Sequence, residues 1–332
     1  MKIYTTLYKS LVIGMLCATG VITLACSKKH SAQSQNQPAP DTTTQNKPAF
    51  NGRLVFHRYS CYDCNDSKIL LYNFATDKLV VLSENWNIIN PMNAHFSPDG
   101  NTIVFMGITQ TTGKWDIYLD DLQNVSLPVN LTASLSANRN EDPKFSSDGK
   151  SIVFKSDGKL TRLDLSTNQF ATYNIPHAEA SMPYFINNDQ LILYAAEKNE
   201  VSAIYALNTG DNFIQPMFEA PGIYAYYPIA LDNSSFVFTR WHSASNHHDQ
   251  LYIGYLNGSP VLRLPFNEPS ADYSDGYPVD DKHLLLSSTR QGTKGGYDLY
   301  IGNKTSGQVW SLSVYNTNIN ATGNELGASY HP

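Results

Sequence analysis

The sequence predicts an all-β protein, a six-bladed β-propeller closed by its own two termini. Three observations carry this expectation. The composition is 42% hydrophobic and 12% aromatic but only 16% charged, with 21 tyrosines, as in β-rich globular chains. A unit of four short strands recurs five times at a spacing of roughly 40–48 residues, the period of propeller blades. The folded part also starts and stops on complementary halves of one such unit.

The chain opens on a targeting pattern. Lys2 and Lys9 precede the apolar run "LVIGMLCATGVITLAC", which is short for a membrane span and leads directly into polar sequence. It ends Leu24-Ala25-Cys26, which resembles the lipobox of bacterial lipoproteins, with Thr23 in place of the usual leucine. The resemblance implies that residues 1–25 are a signal peptide cleaved before Cys26. It also implies that Cys26 is lipidated and anchors the protein to a membrane through acyl chains. An ordinary signal peptide or membrane anchor is the alternative. Ser27 resembles the residue that follows the cysteine in outer-membrane lipoproteins, which places the expected localisation in the cell envelope. Residues 26–49 hold almost no apolar side chains and cannot offset their ordering entropy by burial, so a flexible tether is expected there.

The folded domain is expected over residues 50–332. Cys61 and Cys64 form a C-x-x-C in "YSCYDCND". No βαβ pattern surrounds them, as a thioredoxin-like redox pair would require, and no further zinc ligands are evident. A small disulfide stapling a strand-to-strand loop in an oxidising compartment is the expected reading.

The repeats follow. The best units are "NAHFSPDGNTIVFMG…KWDIYLDDL" and "EDPKFSSDGKSIVFKSDG…LTRLDLS". Weaker ones are "SMPYFINNDQLILYAAE…SAIYALN", "YYPIALDNSSFVFTRW…DQLYIGYLNG" and "DGYPVDDKHLLLSSTR…YDLYIGNKTSG". Each runs from a short strand through an Asp-, Asn- or Gly-rich turn into an apolar alternating strand. Those turn residues tolerate the positive φ that a tight hairpin needs. The terminal "ASYHP" is a first strand without its turn, and "NGRLVF" at 51–56 is a turn and second strand without their first. Joined, they complete a sixth blade. Closure of this kind removes the unpaired edges of an open ring.

"FSPDGNTIVF", "WDIYLDDL", "FSSDGKSIVFKS", "LLLSSTRQG…YDLY" and "NINATGNELGASYHP" together resemble the WD-like repeat of TolB-type propellers, a repeat also found in many cell-envelope lipoproteins. The resemblance spans about residues 50–332 and speaks for fold far more than for function, because one propeller architecture hosts binding, scaffolding and catalysis.

Candidate functional residues come from the segments that enter each inner strand, because inner strands line the axial channel. Asn140, Asp272 and Glu325 align at one repeat position, which Tyr224 fills in another blade. Glu141, Asp142, Tyr226, Tyr273 and Asp275 lie beside it. Such carboxylates at a channel mouth would attract a cation or a basic peptide, and tyrosine faces and hydroxyls suit peptides or sugars. The competing reading is that they cap turns and fill space between blades. Asp116, Asp249 and Asp298, which stand before the Ile/Leu-Tyr strands, are expected to bond backbone amides of the preceding loop, and Asp99 and Asp148 to shape their turns. His242, His247 and His248 fall in one polar loop, which is more often a solvated loop than a metal site.

Enzyme signatures are otherwise absent. No G-x-S-x-G elbow, H-E-x-x-H or Gly-rich phosphate loop occurs. The net charge of −6 and the lack of a long basic run give no reason to expect nucleic acid as a partner. The expectation is a lipid-anchored, cofactor-free binding or scaffold module for a protein segment or glycan. The alternative is a carbohydrate-active propeller lyase, with His95, Lys144, His331, Arg240 and Arg290 available to line the channel.

Overall fold

A computed structural model describes residues 47–332 with the exception of 125, 199 and 200. The expected signal peptide at 1–25, the expected lipidation site Cys26 and most of the expected tether lie outside the described residues. Twenty-four strands form six four-stranded antiparallel sheets. Blade 1 consists of β1 (Arg53–Tyr59), β2 (Lys68–Asn73), β3 (Lys78–Val81) and, on its inner side, β24 (Asn324–His331). Blade 2 holds β4 (Ile88–Phe96), β5 (Thr102–Thr109), β6 (Trp115–Asp121) and β7 (Val129–Asn130). Blade 3 holds β8 (Asn140–Phe145), β9 (Ser151–Ser156), β10 (Lys159–Asp164) and β11 (Gln169–Thr172). Blade 4 holds β12 (Ala180–Ile186), β13 (Leu191–Lys198), β14 (Val201–Asn208) and β15 (Ile214–Phe218). Blade 5 holds β16 (Ala225–Ala230), β17 (Ser235–Ser243), β18 (Asn246–Tyr255) and β19 (Leu262–Arg263). Blade 6 holds β20 (Tyr273–Pro278), β21 (His283–Ser288), β22 (Asp298–Asn303) and β23 (Val309–Ser311).

The ring closes as the termini predict. β24 pairs antiparallel with β1, Leu54 opposite Tyr330 and Val55 opposite Ser329. Gly52 is required at this seam, because a Cβ there would lie 2.1 Å from the His331 carbonyl oxygen.

Strand alternation builds the core. Successive side chains point to opposite faces of a sheet, so each blade offers one apolar set to each neighbour. In β1, Leu54 and Phe56 pack with Leu285, Ile301 and Trp310 of blade 6, whereas Val55 packs with Phe96, Ile103 and Phe105 of blade 2. In β9, Ile152 and Phe154 face blade 2 and Val153 faces blade 4. At 25 cal/mol per Å², each such fully buried side chain contributes on the order of 1.5–3 kcal/mol.

The turns show how one conformation is reached by different residues. Blades 2 and 3 use Gly100 and Gly149 at φ +70° and +71°. Blade 4 lacks that glycine and places Asn187, Asn188 and Asp189 in the left-handed region instead. Blades 5 and 6 use Asp232 and Asp280, whose carboxylates accept from the amides of Ser234 and Ser235, and of Lys282 and His283. Asp99 and Asp148 shape their turns as expected, each accepting from a serine hydroxyl and from the amide two residues on.

Candidate functional site: the axial channel

Every inner strand breaks its register, β4 twice and the others once, and one break in each sets the channel. The shifts fall between Met92 and His95, Glu141 and Lys144, Ser181 and Tyr184, Tyr226 and Ile229, Ser274 and Tyr277, and, in blade 1, opposite Val55/His57. At each bulge one residue takes a left-handed backbone: Asn93, Asp142, Met182, Tyr227, Asp275 and Gly327, with φ between 50° and 60°. A bulge turns a side chain out of the regular alternation. All six residues line a single axial cavity, so the bulges form a ring at one level. Left-handed methionine and tyrosine are sterically unfavourable, by roughly 1–3 kcal/mol each, and persist only where the surroundings enforce them.

The ring carries two carboxylates on blades 3 and 6, which face each other across a six-membered ring. Asp142 is 2% exposed; its Oδ1 accepts from Asn93 Nδ2 at 2.7 Å, and its Oδ2 is buried without a partner. Asp275 Oδ2 accepts from the Gly327 amide at 3.0 Å. Burial pushes both carboxyls up from the usual carboxylate range. Burial likewise lowers the Lys144 ammonium, against the pull of Asp142 and Asp275. Lys144 Nζ donates to the Pro143 carbonyl at 3.2 Å. The cavity here is about 40 Å³, room for about three waters.

One level further along, two residues past each bulge, stand His95, Lys144, Tyr184, Ile229, Tyr277 and Ser329. The Phe145 amide donates to His95 Nδ1 at 3.5 Å, and His95 Nε2 lies 3.2 Å from the Tyr184 hydroxyl. Tyr184 hydrogen-bonds Tyr277, which hydrogen-bonds Ser329. This polar belt crosses the channel from blade 2 to blade 1. Burial, reinforced by nearby Lys144, holds the His95 imidazole well below its ordinary range, so it is neutral.

Beyond the belt, on the side of the Asp-Gly turns, the channel opens into a bowl of about 500 Å³. Its lining combines Tyr184, Tyr277 and Tyr330 with Asn188, Asp189 and His331.

The predicted mouth residues divide sharply. Of that set, only Asp142 and Asp275 line the cavity. The strand registers correct the alignment. Asn140 and Glu325 are equivalent, but Tyr273 and Ala225 share their position, and Asp272 and Tyr224 stand one residue earlier. Asn140, Glu141 and Glu325 are at most 1% exposed. Asn140 Nδ2 donates to the Trp115 carbonyl, and its Oδ1 accepts from Ser156. Glu141 binds Arg139 and, at 2.5 Å, the buried Lys155. Glu325 accepts from Arg58 at 2.6 Å. Asp272 caps the Asp249 amide at 2.9 Å and lies 3.1 Å from His248 Nδ1. The Tyr273 hydroxyl donates to the Phe266 carbonyl, and Tyr226 bonds Asp249. Tyr224 packs against Trp241. Asn140, Asp272 and Tyr273 thus tie neighbouring blades, whereas Glu141, Glu325, Tyr226 and Tyr224 brace their own.

The strand-leading aspartates differ among themselves. Asp298 accepts from a loop amide, that of Lys294. Asp116 instead accepts from the hydroxyls of Thr109 and Thr132 and from Asn130. Asp249 is buried against Tyr226, and burial raises its carboxyl to about 8.

Cys61 and Cys64 are disulfide-bonded, with Cα atoms 5.2 Å apart. Their loop carries Tyr62, which packs on the core between blades 2 and 3 and hydrogen-bonds Arg139. His247 stacks on Trp241 and His248 pairs with Asp272. Among the described residues no group of three or more His, Cys, Asp or Glu is placed to hold a metal. Of the basic and histidine residues considered for lyase chemistry, His95 and Lys144 meet in the channel. His331 lines the bowl, Arg240 lies over Tyr252, and Arg290 bonds Glu268. The residues that sequence missed are Asn93, Met182, Tyr227, Tyr184 and Tyr277. Their one signal was position: Met182 and Tyr227 directly precede a proline, as Asp142 does.

The fold and channel define a six-bladed propeller closed by its termini, with an axial channel blocked midway. By structure the chain is similar to TolB from Acinetobacter baumannii, with a TM-score of 0.66 and 17% identity over 86% of this chain and 68% of that one. It is similar to a putative TolB from Agrobacterium tumefaciens at 0.61 and 13%, over 85% of this chain and 100% of that one. It is also similar to oligogalacturonate lyase in complex with manganese at 0.50 and 15%, over 80% and 74%. At these identities the likeness is one of fold. No protein-family profile matches the chain, and no curated protein sequence matches it.

Proposed function

We propose that this chain is a lipid-anchored binding module of the bacterial cell envelope, which receives a segment of a partner protein in its axial channel. Cys26 carries the anchor, and the tether sets the propeller off from the membrane. The observation that carries the binding reading is the floored channel. A ring of six enforced left-handed residues holds two carboxylates above a hydrogen-bonded belt, so a guest entering from the mouth meets a built socket. The socket takes a side chain or chain end; a hexose ring is several times too large.

The bowl favours a second ligand class at the opposite end. Its volume lies within the range of small-ligand sites, and tyrosine faces beside side-chain amides suit a glycan.

The test is crosslinking of the native lipoprotein in membranes, followed by capture and identification, beside a Cys26→Ser control. One reproducible protein partner, lost when the channel is blocked by Gly327→Trp, supports the proposal. Absence of any partner removes it. Depolymerisation of a polysaccharide by the purified protein, abolished by His95→Ala, would put the lyase alternative in its place.

A further inference from the structure

We propose that the channel socket recognises one primary ammonium group of the bound segment, a lysine side chain or an amino terminus, held by Asp142 Oδ2 with Asp275 opposite. The inference rests on the binding reading above and names what the socket selects.

Four observations point to this guest. Asp142 is almost fully buried, yet Oδ2 has no hydrogen-bond partner while Oδ1 is fixed by Asn93. A buried acceptor left unmade is unfavourable, so a donor brought by a ligand gains what the empty site lacks. The charge count asks for one unit. The ring's two carboxyls, on Asp142 and Asp275, face one cavity-lining ammonium, that of Lys144, so a cationic guest supplies the second counter-charge. The size agrees, because about 40 Å³, room for about three waters, admits an ammonium head and the end of its stem with little besides. The collar suits an alkyl stem: Met182, Pro228, Ile229 and the ring of Tyr227 line the same cavity. Apolar surface can cover the methylenes of a lysine while its head stays polar.

A divalent metal fits less well. Calcium takes 6–8 oxygen ligands, and the resident Lys144 ammonium would repel a second, doubly charged ion. A carbohydrate lacks the positive charge and exceeds the volume.

The probe is n-butylammonium chloride, added to the full chain purified in detergent, with sodium chloride and calcium chloride as parallel arms. The expected result is a dose-dependent rise in the melting midpoint, about 2 °C or more at saturation, with the amine only. Asp142→Asn, which keeps a residue that tolerates the left-handed backbone, abolishes the rise while the protein still melts cooperatively. Lys144→Met enlarges it at least about threefold in apparent affinity, because the competing ammonium is gone. An octapeptide carrying one lysine should bind at least about tenfold tighter than its norleucine counterpart, and acetylating the peptide's amino terminus separates the two sources of ammonium. Equal response to amine and sodium, or a rise that survives Asp142→Asn, overturns the ammonium site. A rise with calcium alone assigns a metal instead and overturns it too. None of these results depends on recovering a cellular partner, so the binding reading stands or falls separately in the crosslinking test.

Discussion

Glu141 and Asp142 are neighbours in one strand, and both are buried carboxylates, yet they belong to different machinery. Glu141 is ringed by Arg139 and Lys155, each a side chain of the same blade. Asp142, turned by its left-handed backbone, faces the axis with one oxygen unpartnered. The contrast extends to the whole mouth and the whole ring. Carboxylates that follow the regular strand alternation are spent on structural ion pairs within their blade. Those displaced by the bulge reach the channel. A one-residue change in backbone conformation, not residue type, separates structural from available acid.

The sharpest way to break that comparison is to truncate each in turn. Glu141→Ala removes the carboxylate 2.5 Å from the buried Lys155, leaving it Glu179 and the field of Asp142, and should lower folding stability by about 3 kcal/mol in urea denaturation. Asp142→Asn keeps the Asn93 contact and relieves the desolvation of a buried carboxyl whose Oδ2 has no hydrogen bond, so stability should stay within about 0.5 kcal/mol or rise. Equal losses in the two variants would end the distinction between mouth and ring.

The disulfide sharpens the same comparison from the mouth side. It closes a loop of only four residues, whose exposed cysteines flank the half-buried Tyr62. Chain entropy for so short a loop gives about 2 kcal/mol. Cys61→Ser with Cys64→Ser should therefore destabilise the fold by about 2 kcal/mol, and reductant should act on the native protein to the same extent. The amine response of the ring should persist, because neither cysteine lines the cavity and Tyr62 keeps its hold on Arg139 and the interblade core. Loss of that response on reduction would tie the two regions into one unit.

How much of this was legible in the sequence follows from what the repeat encodes. Blade number, closure by "ASYHP" onto "NGRLVF" and the aspartate-shaped turns were legible, because each is a local chemical demand repeated several times. The six-membered ring was not. A bulge adds a residue to one strand without altering its hydrophobic alternation enough to see, so aligning Asp272 with Asn140 looked natural and was off by one. Asp142 and Asp275 were picked for their charge, and Tyr227 was passed over for Tyr226. The signal that separates them is backbone φ, which propensity does not betray when the left-handed residue is a methionine or a tyrosine. The bowl was invisible for another reason: its lining joins inner-strand ends such as Tyr184 and Tyr330 to turn residues whose sequence role is already explained by the turn itself.

The mildest test reaches the ring from beneath. His57 is 4% exposed, and its Nδ1 accepts from the Asn93 amide at 3.3 Å, so the imidazole supports the residue that in turn holds Asp142. Burial lowers its pKa to about 3. In the unfolded chain the same group takes up a proton near 6.5, so between about 6.5 and 3 the unfolded state binds more protons than the native one. Its contribution to stability is therefore complete above pH 6.5 and is lost progressively as the pH falls. At pH 5.5 the loss should be about 1 kcal/mol, and neutral His95, lowered in the same direction, adds to the slope. His57→Asn, compared with the native protein by urea denaturation at pH 7.5 and 5.5, should be the less stable of the two at the higher pH and should close that gap by about 1 kcal/mol at the lower. A gap that stays constant across the two values would mean that His57 is protonated in the fold, that Asn93 is held by something else, and that the ring carries a second positive charge beside Lys144.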